Sequence, residues 1–288
     1  MGRSLGINTI GDKTCSYACV YCQVGNTPNK QLEPRHFIPP AQVRDAVARH
    51  IDRLQGENAP IDYLTFVPDG EPTLDIALGE SIEALREFGI PIAVISNASL
   101  LWLEDVRRRL FEADLVSITL ESVEENAWRR INRPHQDLRL EMILDGIREI
   151  GNHFRGELHT ETMLVEGVND SEASVAGVGA FLEGVGPDSA CIAIPIRPVA
   201  VPGHRPPSEA VVNRAFQILG KHVARVETLI GYEGDAFATT GDVVEDLLAI
   251  TSVHPMREEA VLKLLGNGGR SRYTLARLLA QGRLVELE

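Results

Sequence analysis

The 288-residue chain predicts an α/β fold: an incomplete parallel barrel of six strand–helix units, followed by a small module of different pattern. Three observations predict it. Short apolar runs alternate with amphipathic stretches six times, the pattern of parallel strands joined by helical crossovers. The length suits one barrel-sized domain with an appendage. After Gly231 the alternation stops and helical periodicity takes over.

The elements follow in order. Strands are expected over 7–10, 63–67, 92–96, 115–120, 159–165 and 190–194. Helices are expected over 41–55, 76–88, 101–111, 140–151, 172–183 and 208–222. Right-handed crossovers place the helices outside a curved sheet. Six units are too few to close an eightfold barrel, so the expected form is a partial (β/α)6 TIM-type barrel. In such folds functional groups gather at the C-terminal ends of the strands. The proline-rich segment 197–207 reads as an extended loop, either a rigid connector or a cover for the site. Helices over 243–251, 257–265 and 273–280, then a strand over 284–288, resemble a winged-helix module. The domain division expected is therefore a barrel over 1–230 and a winged-helix-like module over 240–288.

Composition excludes some functions. No apolar run approaches the ~20 residues of a membrane span, and the N-terminus lacks a signal-peptide pattern. The default compartment is the cytosol, with no membrane partner. The formal charge of −13 counts against a nucleic-acid binder, which needs a basic surplus, unless a local basic patch acts alone.

Three of the four cysteines fall within eight residues, Cys15-Ser-Tyr-Ala-Cys19-Val-Tyr-Cys22, a C-x3-C-x2-C spacing just after the first expected strand. In a reducing compartment such thiols bind metal or do redox work. Three thiolates can hold three irons of a [4Fe-4S] cube and leave the fourth iron open to an exogenous chelator. The alternative is zinc, which usually needs four ligands; His36 is the nearest histidine that could complete such a site. Cys191, alone in an apolar strand, reads as a buried thiol.

With an aromatic residue, Tyr21, before the last cysteine, this motif resembles the signature of the radical S-adenosylmethionine superfamily. The resemblance covers roughly residues 1–230. It implies a [4Fe-4S] cluster on Cys15, Cys19 and Cys22. It also implies S-adenosylmethionine chelating the open iron, and reductive cleavage to a 5′-deoxyadenosyl radical that takes a hydrogen atom from substrate. Asp69-Gly70-Glu71-Pro72 matches the family's GGEP motif except at its first position. On that match Gly70 and Glu71 are expected at the methionine amino group. Ser96, Asn97 and Glu121, at strand ends, are expected near the ribose and carboxylate, or else as helix caps. Tyr21 and the stretch around Pro195 are expected near the adenine. Glu161 and Thr162 are both candidates to point into the barrel.

Ile131-Asn132-Arg133-Pro134-His135 and the N-terminal GRSLGINTI resemble a subgroup of wyosine-synthetase-like Fe–S oxidoreductases. Its true wyosine members act on transfer RNA. Arg129, Arg130 and Arg133 would grip an anionic substrate or form a solvated helix face paired with Glu125. The implied partners are a reductant such as flavodoxin or ferredoxin and a substrate that is a small molecule, a peptide or protein, or tRNA. A second class of function also stands: a redox-sensing, cluster-containing regulator that binds nucleic acid through Arg270, Arg272, Arg277 and Arg283. Against it, residues 242–288 carry six Lys/Arg and seven Asp/Glu, which favours protein or substrate docking for that module.

Overall fold

The computed structural model describes residues 2–54, 60–196, 199–229, 242–253, 256–266 and 269–286. The chain divides into two compact units, Met1–Asp45 with Ile61–Gly231, and Ala46–Pro60 with Tyr232–Glu288.

The first unit is built on a fully parallel sheet. Its strands are β1 (Ser4–Ile7), β2 (Tyr63–Phe66), β3 (Ile92–Ser96), β4 (Leu115–Thr119), β5 (Glu157–Met163), β6 (Ser189–Ala193) and β7 (Val226–Leu229). They lie side by side in chain order. Between them in the chain run α1 (Pro40–Leu54), which is counted with the second unit from Ala46 on, α2 (Leu78–Leu85), α3 (Glu104–Leu110), α4 (Glu125–Asn132), α5 (Leu140–His153), α6 (Glu172–Val185) and α7 (Glu209–Leu219). This is a partial TIM-type barrel with one strand more than the six expected.

The register sorts side chains onto two faces, because successive residues of a strand point to opposite sides. One face is apolar: Leu64, Phe66, Ile92, Val94, Val116, Ile118 and Ile192 are all fully buried. Each such side chain contributes about 1.5–3 kcal/mol through burial. The other face mixes polar and apolar side chains. One row across it is Thr119, Glu161, Cys191 and Glu227, in register on β4 to β7. Glu161 and Thr162 therefore cannot both point inward. Thr162 shares the face of its register partner Ile192, is buried, and donates from Oγ1 to the Leu120 carbonyl at 3.0 Å.

Several boundaries differ from expectation. The first strand ends where it was expected to begin, because Asn8 Oδ1 accepts from Ile10 N at 3.1 Å and turns the chain off the sheet edge. The third helix starts at Glu104 rather than at residue 101, after a turn in which Leu103 N donates to the Leu100 carbonyl. Helix α4 was not expected as a separate element. Gln55, at the end of the expected first helix, lies outside the described residues.

The second unit holds α8 (Val243–Val253), α9 (Glu258–Leu264) and α10 (Gly269–Ala280) around Leu247, Val261 and Leu278. The expected strand over 284–288 is absent from its described part, 284–286. The cause is local: Arg283 N and Leu284 N both donate to the Leu278 carbonyl, and Gly282 sits at φ +66°. The chain folds back over the helix end, and Leu284 packs on the small core. No helix among the described residues is long and apolar enough to cross a membrane.

Candidate functional site

The three clustered cysteines lie on the long loop between β1 and α1, at the C-terminal edge of the sheet. Two neighbouring loops fix that loop from either side. On one side, Glu71 N donates to the Thr14 carbonyl at 3.0 Å. A Cβ placed on Gly70 would stand 1.9 Å from the same Thr14 oxygen, so only glycine allows this approach of two backbones. On the other side, the end of α4 straps the loop. Ala18 N donates to the Asn132 carbonyl at 3.0 Å, Val20 N to Ile131 at 2.9 Å, and His135 N to Ser16 at 2.9 Å. The Ile131–His135 motif is thus a backbone dock for the cysteine loop. Arg133 turns the chain there at φ +46°. The proline-rich segment also reaches the loop: Val201 N donates to the Val20 carbonyl at 3.0 Å.

Two buried carboxylates knot these loops together. Glu71 Oε1 accepts from Thr73 N (3.1 Å), Thr73 Oγ1 (2.6 Å) and Ser96 Oγ (2.7 Å), and Oε2 accepts from Asn97 N at 2.7 Å. Glu121 accepts from the Tyr21 hydroxyl and, at 2.9 Å, from Asn132 Nδ2. Burial pushes both carboxyls above the ordinary range, against the pull of these hydrogen bonds. Asn169, itself buried, ties the Glu121 and Met163 carbonyls through Nδ2 at 2.8 and 2.9 Å. Burial likewise pushes the Cys15 thiol up to about 12, with Glu71 adding to it, and raises Cys19, with Glu121 adding.

Tyr21, Gly70, Glu71, Ser96, Asn97 and Glu121 are thereby joined in one network with the cysteine loop. Pro195 follows β6, half-buried, while Arg197 and Pro198 lie outside the described residues. Arg129 pairs with Glu125 at 2.7 Å, four residues apart on α4, and stacks over Trp128. That is the solvated helix face rather than an anion grip for this residue. Cys191 is buried as expected, its thiol raised by burial.

Three polar residues of the site had no role in the sequence reading. Asn132 Nδ2 reaches Cys19 Sγ at 3.5 Å as well as Glu121. Lys13 Nζ reaches Cys22 Sγ at 3.1 Å and the Gly25 carbonyl. Asn169 holds the turn after β5. The Ile131–His135 motif pointed toward Asn132; nothing in the sequence marked Lys13 or Asn169.

The donor set separates the two metal groups. Among the described residues no three His, Cys, Asp or Glu side chains gather around a single ion. A cube differs, since each of its three thiolate ligands binds a separate iron. Three partly buried cysteines on one loop, each sulfur with a nitrogen donor, fit that group.

A model of the radical SAM superfamily matches residues 13–176, and the chain belongs to that superfamily. Its members are enzymes that use a [4Fe-4S] cluster and S-adenosylmethionine. Among relatives, UPF0026 protein MJ1312 of Methanocaldococcus jannaschii is 44% identical over 292 residues, covering 100% of this chain and 90% of that protein. Among solved structures, TYW1 with a lysine–pyruvate adduct superposes with a TM-score of 0.61 at 18% identity, over 77% of this chain and 74% of that one. A radical SAM methyltransferase from Sphaerobacter thermophilus gives a TM-score of 0.62 at 16% identity, over 83% and 69%. At such identities these two share the fold.

Proposed function

We propose that this chain generates a 5′-deoxyadenosyl radical and uses it to take a hydrogen atom from a substrate. The single observation that carries this is the network linking the three-cysteine loop to the Gly70–Glu71 and Asn97 loops and to Tyr21 and Glu121 at one sheet edge. Cys15, Cys19 and Cys22 would hold the cluster, and Gly70, Glu71, Ser96, Asn97, Glu121, Tyr21 and Pro195 would line the S-adenosylmethionine site. When bound, the cluster supplies one electron to the sulfonium of S-adenosylmethionine, which breaks its S–C5′ bond.

The chain's own residues do the rest. The Glu71 carboxylate is consumed by four internal hydrogen bonds, so its side chain orders the Ser96–Asn97 turn, and the backbone beside Gly70 would be the part left to meet the cofactor. Glu121 holds Tyr21 and Asn132 in place. The segment around Val201, bonded to Val20, shields the cysteine loop from water. Residues 1–230 form the catalytic unit in this proposal, and 240–288 a docking module for substrate or a reductant such as flavodoxin or ferredoxin.

The test is anaerobic reconstitution followed by turnover with dithionite. Iron bound through the three cysteines and release of 5′-deoxyadenosine are expected. S-adenosylhomocysteine as the product would replace the proposal with methyl transfer. A Cys15→Ala, Cys19→Ala, Cys22→Ala protein that still bound the cluster would remove the assignment.

A further inference from the structure

Each sulfur of the cysteine loop meets one side-chain nitrogen, and the three nitrogens come from three places in the fold. Lys13 Nζ, on the loop itself, donates to Cys22 Sγ at 3.1 Å. Asn97 Nδ2, in the turn after β3, donates to Cys15 Sγ at 3.3 Å. Asn132 Nδ2, on the last residue of α4, donates to Cys19 Sγ at 3.5 Å. Resting on the cluster assignment above, we propose that Lys13, Asn97 and Asn132 are positioning residues that act through the three sulfurs to raise the cluster's reduction potential.

The physical argument concerns charge. Reduction adds an electron that is shared with the thiolates. A hydrogen bond to a sulfur therefore stabilises the reduced form more than the oxidised one. Two buried carboxyl groups stand close by and, where ionised, act in the opposite sense. Glu71 bonds the backbone N of Asn97, and Glu121 bonds the same Asn132 nitrogen that meets Cys19. Asn132 thus places one side-chain amide between a carboxylate and a sulfur, while Asn97 meets Glu71 through its backbone N and Cys15 through its side chain. Lys13 carries a full charge, and charge-assisted hydrogen bonds are about twice as strong as neutral ones. Its ammonium is held in place by the Gly25 carbonyl at the far end of the loop.

The asparagines are also firmly fixed. Asn97 Oδ1 accepts from Ser99 N at 2.9 Å, and its Nδ2 also donates to Ser16 Oγ at 3.1 Å. Asn132 is fully buried, and its Nδ2 is held by Glu121 at 2.9 Å. A donor fixed in this way cannot turn to follow the charge, so its effect on the sulfur is built in before the electron arrives.

The experiment is an anaerobic redox titration of the reconstituted protein without S-adenosylmethionine. The reduced cluster is followed by electron paramagnetic resonance, and iron content is measured on every sample. Asn97→Leu, Asn132→Leu and Lys13→Met should each shift the midpoint negative, Lys13→Met most. At a fixed solution potential each should lower the reduced-to-oxidised ratio several-fold, and tenfold corresponds to 59 mV for a one-electron couple. Shifts should add in the triple variant, because each donor serves its own sulfur. Lys13→Arg should recover most of the Lys13→Met shift. A merely structural role would lower iron content and leave the midpoint of the loaded fraction in place. Fully loaded variants with unchanged midpoints overturn this inference alone. Should the buried asparagine variants fail to fold, Lys13→Gln on the half-exposed loop decides by the same measurement. Wild-type protein that loads no iron overturns the cluster assignment, and this inference falls with it.

Discussion

Gly70 joins sequence to site at a single atom. The sequence places it in a Gly-Glu-Pro turn, and the structure shows what the missing Cβ leaves room for: the Thr14 carbonyl, one residue before Cys15. The clash in Gly70→Ala is with backbone, so no side chain can swing away. The expected cost is about 1–3 kcal/mol of stability, as for other overpacked sites. Iron loading should fall with it, and urea unfolding together with iron analysis measures both. A Gly70→Ala protein of wild-type stability and loading would show that the two loops separate freely.

Glu71 makes the second prediction at this scale. Burial raises its folded-state pKa above the ordinary 4.5. Between 4.5 and that raised value the folded chain therefore holds more of the proton than the unfolded chain does. A group shifted this way contributes stability that is complete below about 4.5 and is lost as pH rises through the folded value. Glu71→Gln removes the titration but leaves one donor of the knot without an acceptor, at about 1–3 kcal/mol. The variant should be clearly weaker than wild type at pH 4, and the gap should narrow toward pH 8. Urea unfolding of the metal-free proteins across that range checks it. A gap that widens with pH would mean the four hydrogen bonds outweigh burial.

At the scale of elements, what the sequence revealed depended on how strongly each element repeats its pattern. The apolar strands β2, β3 and β4 were legible because they are buried runs with clear ends. The last strand, Val226–Leu229, was not. Its Glu227 and Thr228 interrupt the apolar pattern, and it lies at the sheet's edge with Leu229 exposed. Helix α4 was missed for a related reason. Its buried residues Ala127, Trp128, Ile131 and Asn132 do follow a helical period, but at eight residues it is shorter than the window of about 11–18 residues over which such a period is read. The cysteine spacing named the metal group because ligand chemistry is local in sequence. The donors to those cysteines are not local: Asn97 and Asn132 stand 82 and 113 residues from their sulfurs. Only the strand order, which brings the ends of β1, β3 and β4 to one edge, puts them there. The arginines of the Ile131–His135 region show the converse. They stand out in sequence, while the working part of the motif is its backbone.

At the scale of the whole molecule, net charge separates the enzyme from the regulator. A protein that binds duplex DNA without sequence preference does so by displacing counterions with Lys and Arg. Dissociation constants then fall near 10⁻⁴–10⁻⁶ M, and affinity drops steeply with salt. This chain carries 28 Lys/Arg against 41 Asp/Glu, a net −13, and the repulsion extends over roughly a Debye length, about 8 Å at 0.15 M salt. Its C-terminal stretch does not reverse the sign. Residues 242–288 are near neutral, and of their arginines Arg272 faces Glu258 at 4.0 Å and Arg283 faces Glu245 at 3.5 Å. Those pairs are exposed and weak, yet they place acid beside the bases that would have to meet phosphate. The intact protein should therefore show no saturable binding to duplex DNA at 0.15 M salt up to about 100 μM, the weak end of the usual non-specific range. Fluorescence anisotropy of a labelled duplex at 0.05 and 0.2 M salt measures it. Micromolar binding that weakened a hundredfold or more between those salts would require several phosphate contacts. It would restore the regulator and turn attention to Arg272, Arg277 and Arg283. A flat, unbound signal at both salts would remove the regulator, because the charge balance then supplies no electrostatic grip on duplex phosphate.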